Sequence, residues 1–492
     1  MHNLKQPHYY LAICLVCALL GFALQGTGSL NPDVSWINFG ALRMLHGAVL
    51  YRDIVEVNPP LIYYLSMPPL WLSSVTGWSD TAVFTLWVEL LAVGSAFISY
   101  LVFGGAGERL GKPYLSMCIA QVMLACLFIG ESFGQREHLL FVFLCPYVSL
   151  KIARLEGRVV SPKLAAFVGI LAAFAIALKP HYVIVIILLE VWQLIRLRKL
   201  RDQLITPETL GALSMVALFG AMLLIFHPEY LTQMVPLGRI AYLPYYHESA
   251  SKIFGLFGFV IFLVSCFFIL ERLGGLALSC ITLSIAGVAS AAAMLVQFRG
   301  FHYQLLPALF FLVIWQSSLC WSQVLANRIA AAVAIAGLVG VIATFNSPLP
   351  YRSNLPTVDL VPEGSSVAVL STNISDGFPM VTERHLRWES RFPSLWFMSL
   401  IYLSDEATTR QSAFDSAEHD LANALRRQVV DDLVRGKPDV IMVSTIRYLI
   451  VPTPVDYYDS FGKDPRFQGF MAGYRKIDAD KKFDYYRRVV AN

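Results

Sequence analysis

The sequence predicts a mainly α, polytopic membrane protein with about eleven transmembrane helices and a small α/β domain outside the membrane at its C-terminus. Of the 492 residues, 56% are hydrophobic and 15% are charged, which leaves too little polar surface for a water-soluble globule of this size. The charged residues are unevenly distributed, because about half of them lie in 346–492. We therefore expect a transmembrane domain at 1–345 and a soluble domain at 346–492.

Apolar runs long enough to cross a hydrocarbon core of about 30 Å define the transmembrane helices. They lie at about 9–29, 81–103, 113–131, 138–154, 163–178, 181–196, 209–226, 253–271, 273–296, 303–321 and 327–345. The first run has few leading basic residues and no small-residue cleavage site, so we interpret it as a retained helix rather than a signal peptide.

The distribution of Lys and Arg predicts the orientation, because these residues prefer the cytoplasmic side of a membrane. One set of loops is rich in them, at Arg109, Lys112, Lys151, Arg154, Arg158, Lys163, Arg196, Arg198, Lys199 and Arg201. The opposite loops carry only scattered basic residues. The N-terminus is therefore predicted to be cytoplasmic, and an odd number of helices places the C-terminal domain outside.

The C-terminal domain is predicted from its alternation of strand and helix patterns. Three prolines near residue 350 indicate a linker. The segments GSSVAVLST, PDVIMVST and FDYYRRVV are typical of strands, and FDSAEHDLANALRRQVVDDLV is typical of a helix. The domain has no Gly-rich phosphate loop, so we interpret it as a module that docks or orients an acceptor.

The first outer loop, at about 30–80, carries the earliest acid, Asp33. Apolar Trp36, Ile37, Ala41, Met44 and Leu45 share one face of a predicted helix, as in helices that lie in the membrane interface. Such a helix would hold Asp33 near the depth of the lipid headgroups. Two interpretations of Asp33 stay open, a helix cap and a catalytic carboxylate.

Two more acids, Asp53 and Glu56, follow in the same loop. Transfer of a group from a phosphate-linked donor to a hydroxyl needs a base and a positive charge near the leaving phosphate. Acids supply the base directly, and they supply the positive charge by binding a divalent metal ion. Asp53, Glu56 and the later Glu137 are therefore candidate metal ligands, with ordinary solvated loop charges as the alternative.

The remaining outer loops bring together ionisable and aromatic residues that suit an anionic lipid substrate. The candidates for contact with the donor phosphate or the substrate are Arg52, Asn58, Arg136, His138, Lys179, His181, Arg299, His302 and Tyr303. A salt-bridged latch, or residues whose side chains extend to the lipid interface, would give the same pattern.

The first loop resembles that of the GT-C glycosyltransferases. The residues concerned form a G-x-x-x-Y-R-D-x-x-E-x-N-P-P-L stretch, namely Gly47, Tyr51, Arg52, Asp53, Glu56, Asn58, Pro59, Pro60 and Leu61. Together with the early acid, the helix count and the outer C-terminal domain, it is most similar to the branch that contains protein O-mannosyltransferases and bacterial aminoarabinose lipid A transferases.

This resemblance implies an inverting transfer from a polyprenyl-phosphate-linked sugar donor at the periplasmic face of a bacterial inner membrane. The acceptor would be a glycolipid, a polysaccharide or a protein, with membrane lipid around the enzyme and no nucleic acid as partner. Asp33 matches the acid of the family's first loop and would be the base. Relatives often carry Lys where this chain has Asn58, so another cation must neutralise the phosphate. Some relatives use a divalent metal ion and others do not.

Two other functions remain open from the sequence. A flippase or transporter of a lipid-linked saccharide would use the same cationic loops, but it would not need the acids of the first loop. An O-antigen ligase or polymerase would consume a similar donor, but it usually lacks a soluble C-terminal domain of this size.

Overall fold

The fold was described from a computed structural model. The described residues are 6–104, 110–198, 205–245, 249–271, 277–321, 324–353, 356–411, 414–446 and 455–489. They form two compact units. We call Met1–Leu30, Pro68–Ile225 and Glu248–Tyr351 the helical unit, and Asn31–Met67, Phe226–His247 and Arg352–Asn492 the mixed unit.

The described part of the chain before residue 346 is a succession of helices. They are α1 (Gln6–Gln25), α2 (Pro32–Leu45), α3 (Leu61–Thr76), α4 (Asp80–Val102), α5 (Lys112–Cys126), α6 (Arg136–Leu155), α7 (Pro162–Leu178), α8 (Val183–Leu197), α9 (Pro207–Phe226), α10 (Ala250–Glu271), α11 (Leu278–Gln297), α12 (Leu306–Leu319) and α13 (Leu325–Phe345). Irregular helical turns, mainly of the π type, follow α9 at Tyr230–Met234, Val235–Leu237 and Gly238–Tyr242. A mainly α fold is confirmed, since about 70% of the structure is helical.

Eight of the described helical segments are long and apolar enough to cross a membrane. They are His8–Gln25, Asp80–Val102, Arg136–Leu155, Pro180–Leu197, Pro207–Phe226, Ala250–Ile269, Leu278–Gln297 and Asn327–Phe345. The other three predicted runs are also helices, but α5, α7 and α12 have only 15, 17 and 14 residues. The structure is therefore compatible with a multi-pass membrane protein, while the count of eleven stays a prediction.

The core of the helical unit lies around α6 and α12. Almost every residue of these two helices is buried. The ring of Phe141 on α6 packs against Phe310 and Phe311 on α12, with centroids 4.9 and 5.5 Å apart. By contrast, α9 buries only Glu208 and Gly211 within its unit. Such exposure of an apolar helix is compatible with a position in a membrane.

The mixed unit contains a five-stranded sheet with the strand order β2-β1-β3-β5-β4. The strands are β1 (Ser366–Leu370), β2 (Arg387–Trp388), β3 (Val440–Ser444), β4 (Tyr474–Ala479) and β5 (Phe483–Arg488). Strands β2, β1 and β3 run parallel, whereas β5 is antiparallel to both β3 and β4. The three predicted strands are confirmed as β1, β3 and β5.

The helices of the C-terminal segment lie between these strands in sequence. They are a single helical turn at Met380–Glu383 and the longer helices α14 (Met398–Arg410), α15 (Ser416–Gly436), α16 (Tyr457–Gly462) and α17 (Pro465–Met471). The predicted long helix is confirmed as α15. Its first turn is capped by Asp415, whose carboxylate accepts bonds from the N–H groups of Ala417 and Glu418.

The units do not follow the predicted boundary after residue 345. The segment Asn31–Met67 groups with the C-terminal sheet, and residues 346–351 group with the helices. Asn346 and Ser347 explain the second grouping, because Asn346 donates to the carbonyl of Ile129 at 2.6 Å and Ser347 donates to Glu131 at 3.2 Å. The start of the linker is thus bonded to the loop before α6.

Candidate functional site

The predicted site residues fall into both units. Asp33, Arg52, Asp53, Glu56 and Asn58 belong to the mixed unit, and the other eight belong to the helical unit.

Asp33 stands in the first turn of α2, where its charge complements the helix dipole. It does not cap the helix. Asn31 takes that role, because its side-chain oxygen accepts a bond from the N–H of Asp33 at 3.0 Å. Pro32, at the first helical position, has the fixed φ that a helix start requires. The cap interpretation of Asp33 is therefore wrong, and its side chain is half-buried rather than enclosed.

Protein covers part of the apolar face of α2, while Met44 and Leu45 are only half-buried. Trp36, Ile37 and Ala41 are buried, and the ring of Trp36 packs edge-on against Phe378 at 5.2 Å. The polar side chain of Asn38 is buried as well. The position of α2 in the membrane interface stays a prediction, because periodicity gives an apolar face without saying what covers it.

Glu56 holds α2 to the rest of the first loop. Its carboxylate is 7% exposed and accepts a bond from the indole N–H of Trp36 at 3.0 Å. The other carboxylate oxygen accepts from the backbone and side-chain N–H groups of Asn58, at 3.1 and 2.8 Å. Both oxygens are thus engaged in fixing the loop.

Tyr51 and Asp53 shape the turn that precedes Glu56. Tyr51 has a φ of +72°, and its buried hydroxyl donates to the carbonyl of Asn58 at 2.8 Å. Asp53 accepts from the N–H of Val49 at 2.8 Å and lies 3.3 Å from Arg52. Partial burial raises the pKa of Asp53, but the Val49 N–H bond and the Arg52 guanidinium outweigh it, so the pKa lies below its usual value. Arg52 itself is largely exposed.

Sequence analysis missed a histidine beside this turn. His227 is buried, and its Nε2 lies 2.8 Å from the hydroxyl of Tyr64. Its ring also packs edge-on against Tyr51 at 5.6 Å. Burial lowers the pKa of His227 more than nearby Glu229 raises it, so the imidazole is neutral at pH 7. The only signal in the sequence is a His directly after an apolar run, which gives no hint of a partner 163 residues away.

In the helical unit, the structure brings together Glu137, Lys179 and Tyr303. Glu137 and Lys179 form a buried ion pair, with the two side chains 2% and 3% exposed. The ammonium of Lys179 also lies over the ring of Tyr303, 5.8 Å from its centroid. This is the latch that the sequence left open, and it joins the first turn of α6 to the C-cap residue of α7.

Among the other candidates of the helical unit, His181 lies within electrostatic range of both Lys179 and Arg136. His138 is buried, and its Nδ1 accepts from the N–H of Gly134 at 3.1 Å, so it is not at a surface. His181 packs against the ring of Tyr182, and exposed His302 packs against Phe345. Arg299 is buried. Arg136 is half-buried and begins α6.

The candidate metal ligands do not form a metal site by geometry. Within the described ranges there is no group of three or more His, Cys, Asp or Glu side chains that could hold a metal ion. Glu56 is occupied by Trp36 and Asn58, and Glu137 is paired with Lys179. Two of the three acids are therefore engaged by protein groups, and a metal ion stays a prediction.

A second ionic cluster, also missed, lies inside the helical unit at α6, α8 and α9. The ammonium of buried Lys151 lies 2.7 Å from Glu190 and 3.7 Å from Glu208. Arg154 donates to Glu208 at 3.2 Å, and the hydroxyl of Tyr147 donates to Glu190. Two cations and two carboxylates balance here, so we interpret the cluster as a connection between helices.

A comparison of the sequence with models of known protein families finds no match, and a comparison with curated proteins finds none either. A functional assignment therefore depends on the geometry above and on the motif of the first loop.

Proposed function

We propose that this chain is an integral membrane glycosyltransferase. It moves a sugar from a polyprenyl-phosphate donor to an acceptor at the periplasmic face of a bacterial inner membrane, with about eleven transmembrane helices and a cytoplasmic N-terminus. The apolar, outward-facing surface of α9 and the basic loops on one side support the membrane placement.

The observation that carries the proposal is the placement of Asp33. Asn31 caps α2, so capping does not account for an acid at this position. The helix below Asp33 is fixed by the bond between Trp36 and Glu56, while Asp33 itself remains accessible. A half-exposed carboxylate on a rigid element is what a positioned base requires.

The reaction then proceeds as an inverting displacement. The carboxylate of Asp33 takes the proton of the acceptor hydroxyl as the acceptor oxygen attacks C1 of the sugar. The bond between C1 and the phosphate oxygen breaks, and the polyprenyl phosphate leaves with the bonding electrons. A cation that neutralises this phosphate lowers the barrier.

We take Arg136 as the candidate for that cation. Arg136 is half-buried in the first turn of a 20-residue helix. There the positive end of the helix dipole adds to its own charge. The involvement of a divalent metal ion stays a prediction. It is tested by measuring transfer in the presence of EDTA and again after Mg²⁺ or Mn²⁺ is added back.

The experiment measures transfer by the purified full-length protein in detergent, with radiolabelled polyprenyl-phosphate sugars and a membrane glycolipid extract. Asp33→Asn should abolish transfer while donor binding persists. Asp420→Asn is the matched control, because Asp420 is an exposed residue of the same unit. Arg136→Gln should raise the KM for the donor at least about tenfold, and Arg196→Gln, at the exposed end of α8, should not.

The same panel separates transfer from transport. Flipping of the labelled lipids in liposomes, without transfer and at equal rates for wild type and Asp33→Asn, would favour the flippase and refute the proposal.

A further inference from the structure

A groove of about 670 Å³ lies on the C-terminal part of the mixed unit, between α15 and the segment that begins α17. Its volume is in the range that accommodates a small-molecule ligand such as a disaccharide. The residues around it are Asn423, Ala424, Arg426, Arg427, Gln428, Asp431, Lys463, Asp464, Pro465 and Arg466. Only Ala424 and Pro465 lack a polar side chain, so the groove suits a polar ligand.

Four cations and two carboxylates line the groove, and Asp405 beside it pairs with both Arg426 and Lys463, which leaves an excess of one positive charge. Arg466 bridges both carboxylates, binding Asp464 at 2.6 Å and also Asp431. The bond from Arg466 and the charge of Arg427 lower the pKa of Asp464, so this carboxylate is ionised at neutral pH. Arg427 is exposed, so its guanidinium is accessible to a ligand in the groove.

Arg426 is a second indication of a ligand. Its side chain is 7% exposed, and its guanidinium binds Asp405 at 2.5 Å and also Asn423. Its Nε lacks a hydrogen-bond partner in the described part of the chain. Leaving a buried donor without a partner costs about 1–3 kcal/mol. The side chain of Arg426 borders the groove.

The combination points to a phosphate carried on a sugar. Guanidinium groups bind phosphate through paired, charge-assisted hydrogen bonds. The side-chain amides of Asn423 and Gln428 beside them can donate to and accept from sugar hydroxyls.

We propose that this groove binds a phosphate-bearing saccharide, and that this ligand is a segment of the acceptor. The second half of the statement rests on the proposed glycosyltransferase activity, and the first half does not. Arg427 binds the phosphate, Arg466 contributes its positive charge while it stays bonded to Asp464 and Asp431, and Asn423 and Gln428 contact the sugar.

The test is equilibrium binding of maltose 1-phosphate to the full-length protein in detergent, with maltose and inorganic phosphate as separate ligands. We expect maltose 1-phosphate to bind at least about tenfold more tightly than either. Arg427→Gln should weaken its binding about tenfold, and Arg427→Lys should retain most of it. Asp431→Asn should strengthen binding, because it frees Arg466 from one of its two carboxylates.

Arg475→Gln is the matched control, since Arg475 is exposed on β4 and does not border the groove. Its binding should equal that of the wild type. Asp33→Asn should also bind normally, so that loss of transfer and loss of this site are measured independently. If the wild type transfers no sugar while Asp33→Asn still binds maltose 1-phosphate normally, the proposed transferase activity is refuted and the proposed groove site is not.

Three results would overturn the proposal. Maltose 1-phosphate that does not bind at about 10 mM would exclude the site as described. If inorganic phosphate binds as tightly as maltose 1-phosphate, the groove recognises only the anion and not the sugar. If Arg427→Gln instead reduces binding to vesicles of phosphatidylglycerol, with no effect on maltose 1-phosphate, the ligand is a lipid headgroup.

Discussion

Replacement of Gly169 by alanine should separate α7 from α9 and destabilise the helical unit. A Cβ at Gly169 would lie 1.9 Å from the carbonyl oxygen of Glu208, and a Cβ at Gly211 would lie 2.1 Å from that of Ala166. Real Cβ atoms stay at least 3.0 Å from such atoms. The obstacle is backbone on both sides, so the helices themselves must move apart by about 1 Å or more.

The movement has an electrostatic consequence, because Glu208 is the acid that joins α9 to the ionic cluster. If the distance from Arg154 to Glu208 grows from 3.2 Å to about 4.2 Å, the attraction falls by about 1 kcal/mol at an effective dielectric constant of about 20. Overpacking of the crossing adds about 1–3 kcal/mol. We therefore expect Gly169→Ala to lower the free energy of unfolding by about 2–4 kcal/mol.

The assay is unfolding by SDS titration in detergent micelles, followed by tryptophan fluorescence. Gly220→Ala on α9 is the matched control, because a Cβ there meets no atom within 4 Å. It should be neutral or stabilising by up to about 1 kcal/mol, since alanine is the better helix former. A Gly169→Ala variant as stable as Gly220→Ala would refute the close crossing.

Three further predictions concern the first loop and the latch. Trp36→Phe keeps the ring but removes the donor to Glu56, and should lower the free energy of unfolding by about 1–3 kcal/mol in the same titration; an unchanged value would contradict the bond. Because the folded pKa of Asp53 is depressed, its contribution to stability is present above its unfolded pKa of about 3.9 and is lost as pH falls through the folded pKa. Asp53→Asn should therefore make the free energy of unfolding less dependent on pH below about pH 4, and should leave its dependence on pH near pH 7 unchanged. Lys179→Met leaves Glu137 buried without its cation and should cost about 3–5 kcal/mol, whereas adding Glu137→Gln should recover part of that loss; equal stability of the single and double variants would show that the pair is not coupled.

The positions of the long helices could be predicted because their signal is local. An apolar run such as 209–226 determines α9 almost to the residue, since the Thr206 to Pro207 step begins it and His227 follows its end. The strands were harder to predict. β2 has only two residues, and β4, with the sequence YRKIDA, is mostly exposed and polar at the edge of the sheet. Neither pattern resembles a buried strand.

The contacts of the site residues could not be predicted, since they depend on which elements meet. Sequence analysis placed Glu137 and Lys179 in outer loops but could not show that they pair across 42 residues. It gave α2 an apolar face but could not distinguish lipid from the ring of Phe378. The same pattern of residues fits both outcomes, and only tertiary packing selects one.

The geometry of the first loop changes what its motif means. Tyr51, Asp53, Glu56 and Asn58 each make a hydrogen bond that shapes or fixes the loop. The motif therefore describes mainly a scaffold, and under the proposed activity the chemistry falls to residues that the scaffold positions, above all Asp33. It also explains why a neutral residue suits position 58. A lysine there would lie beside the buried carboxylate of Glu56 and compete with Trp36 for it, so in this loop a cation for the donor phosphate has to come from another position.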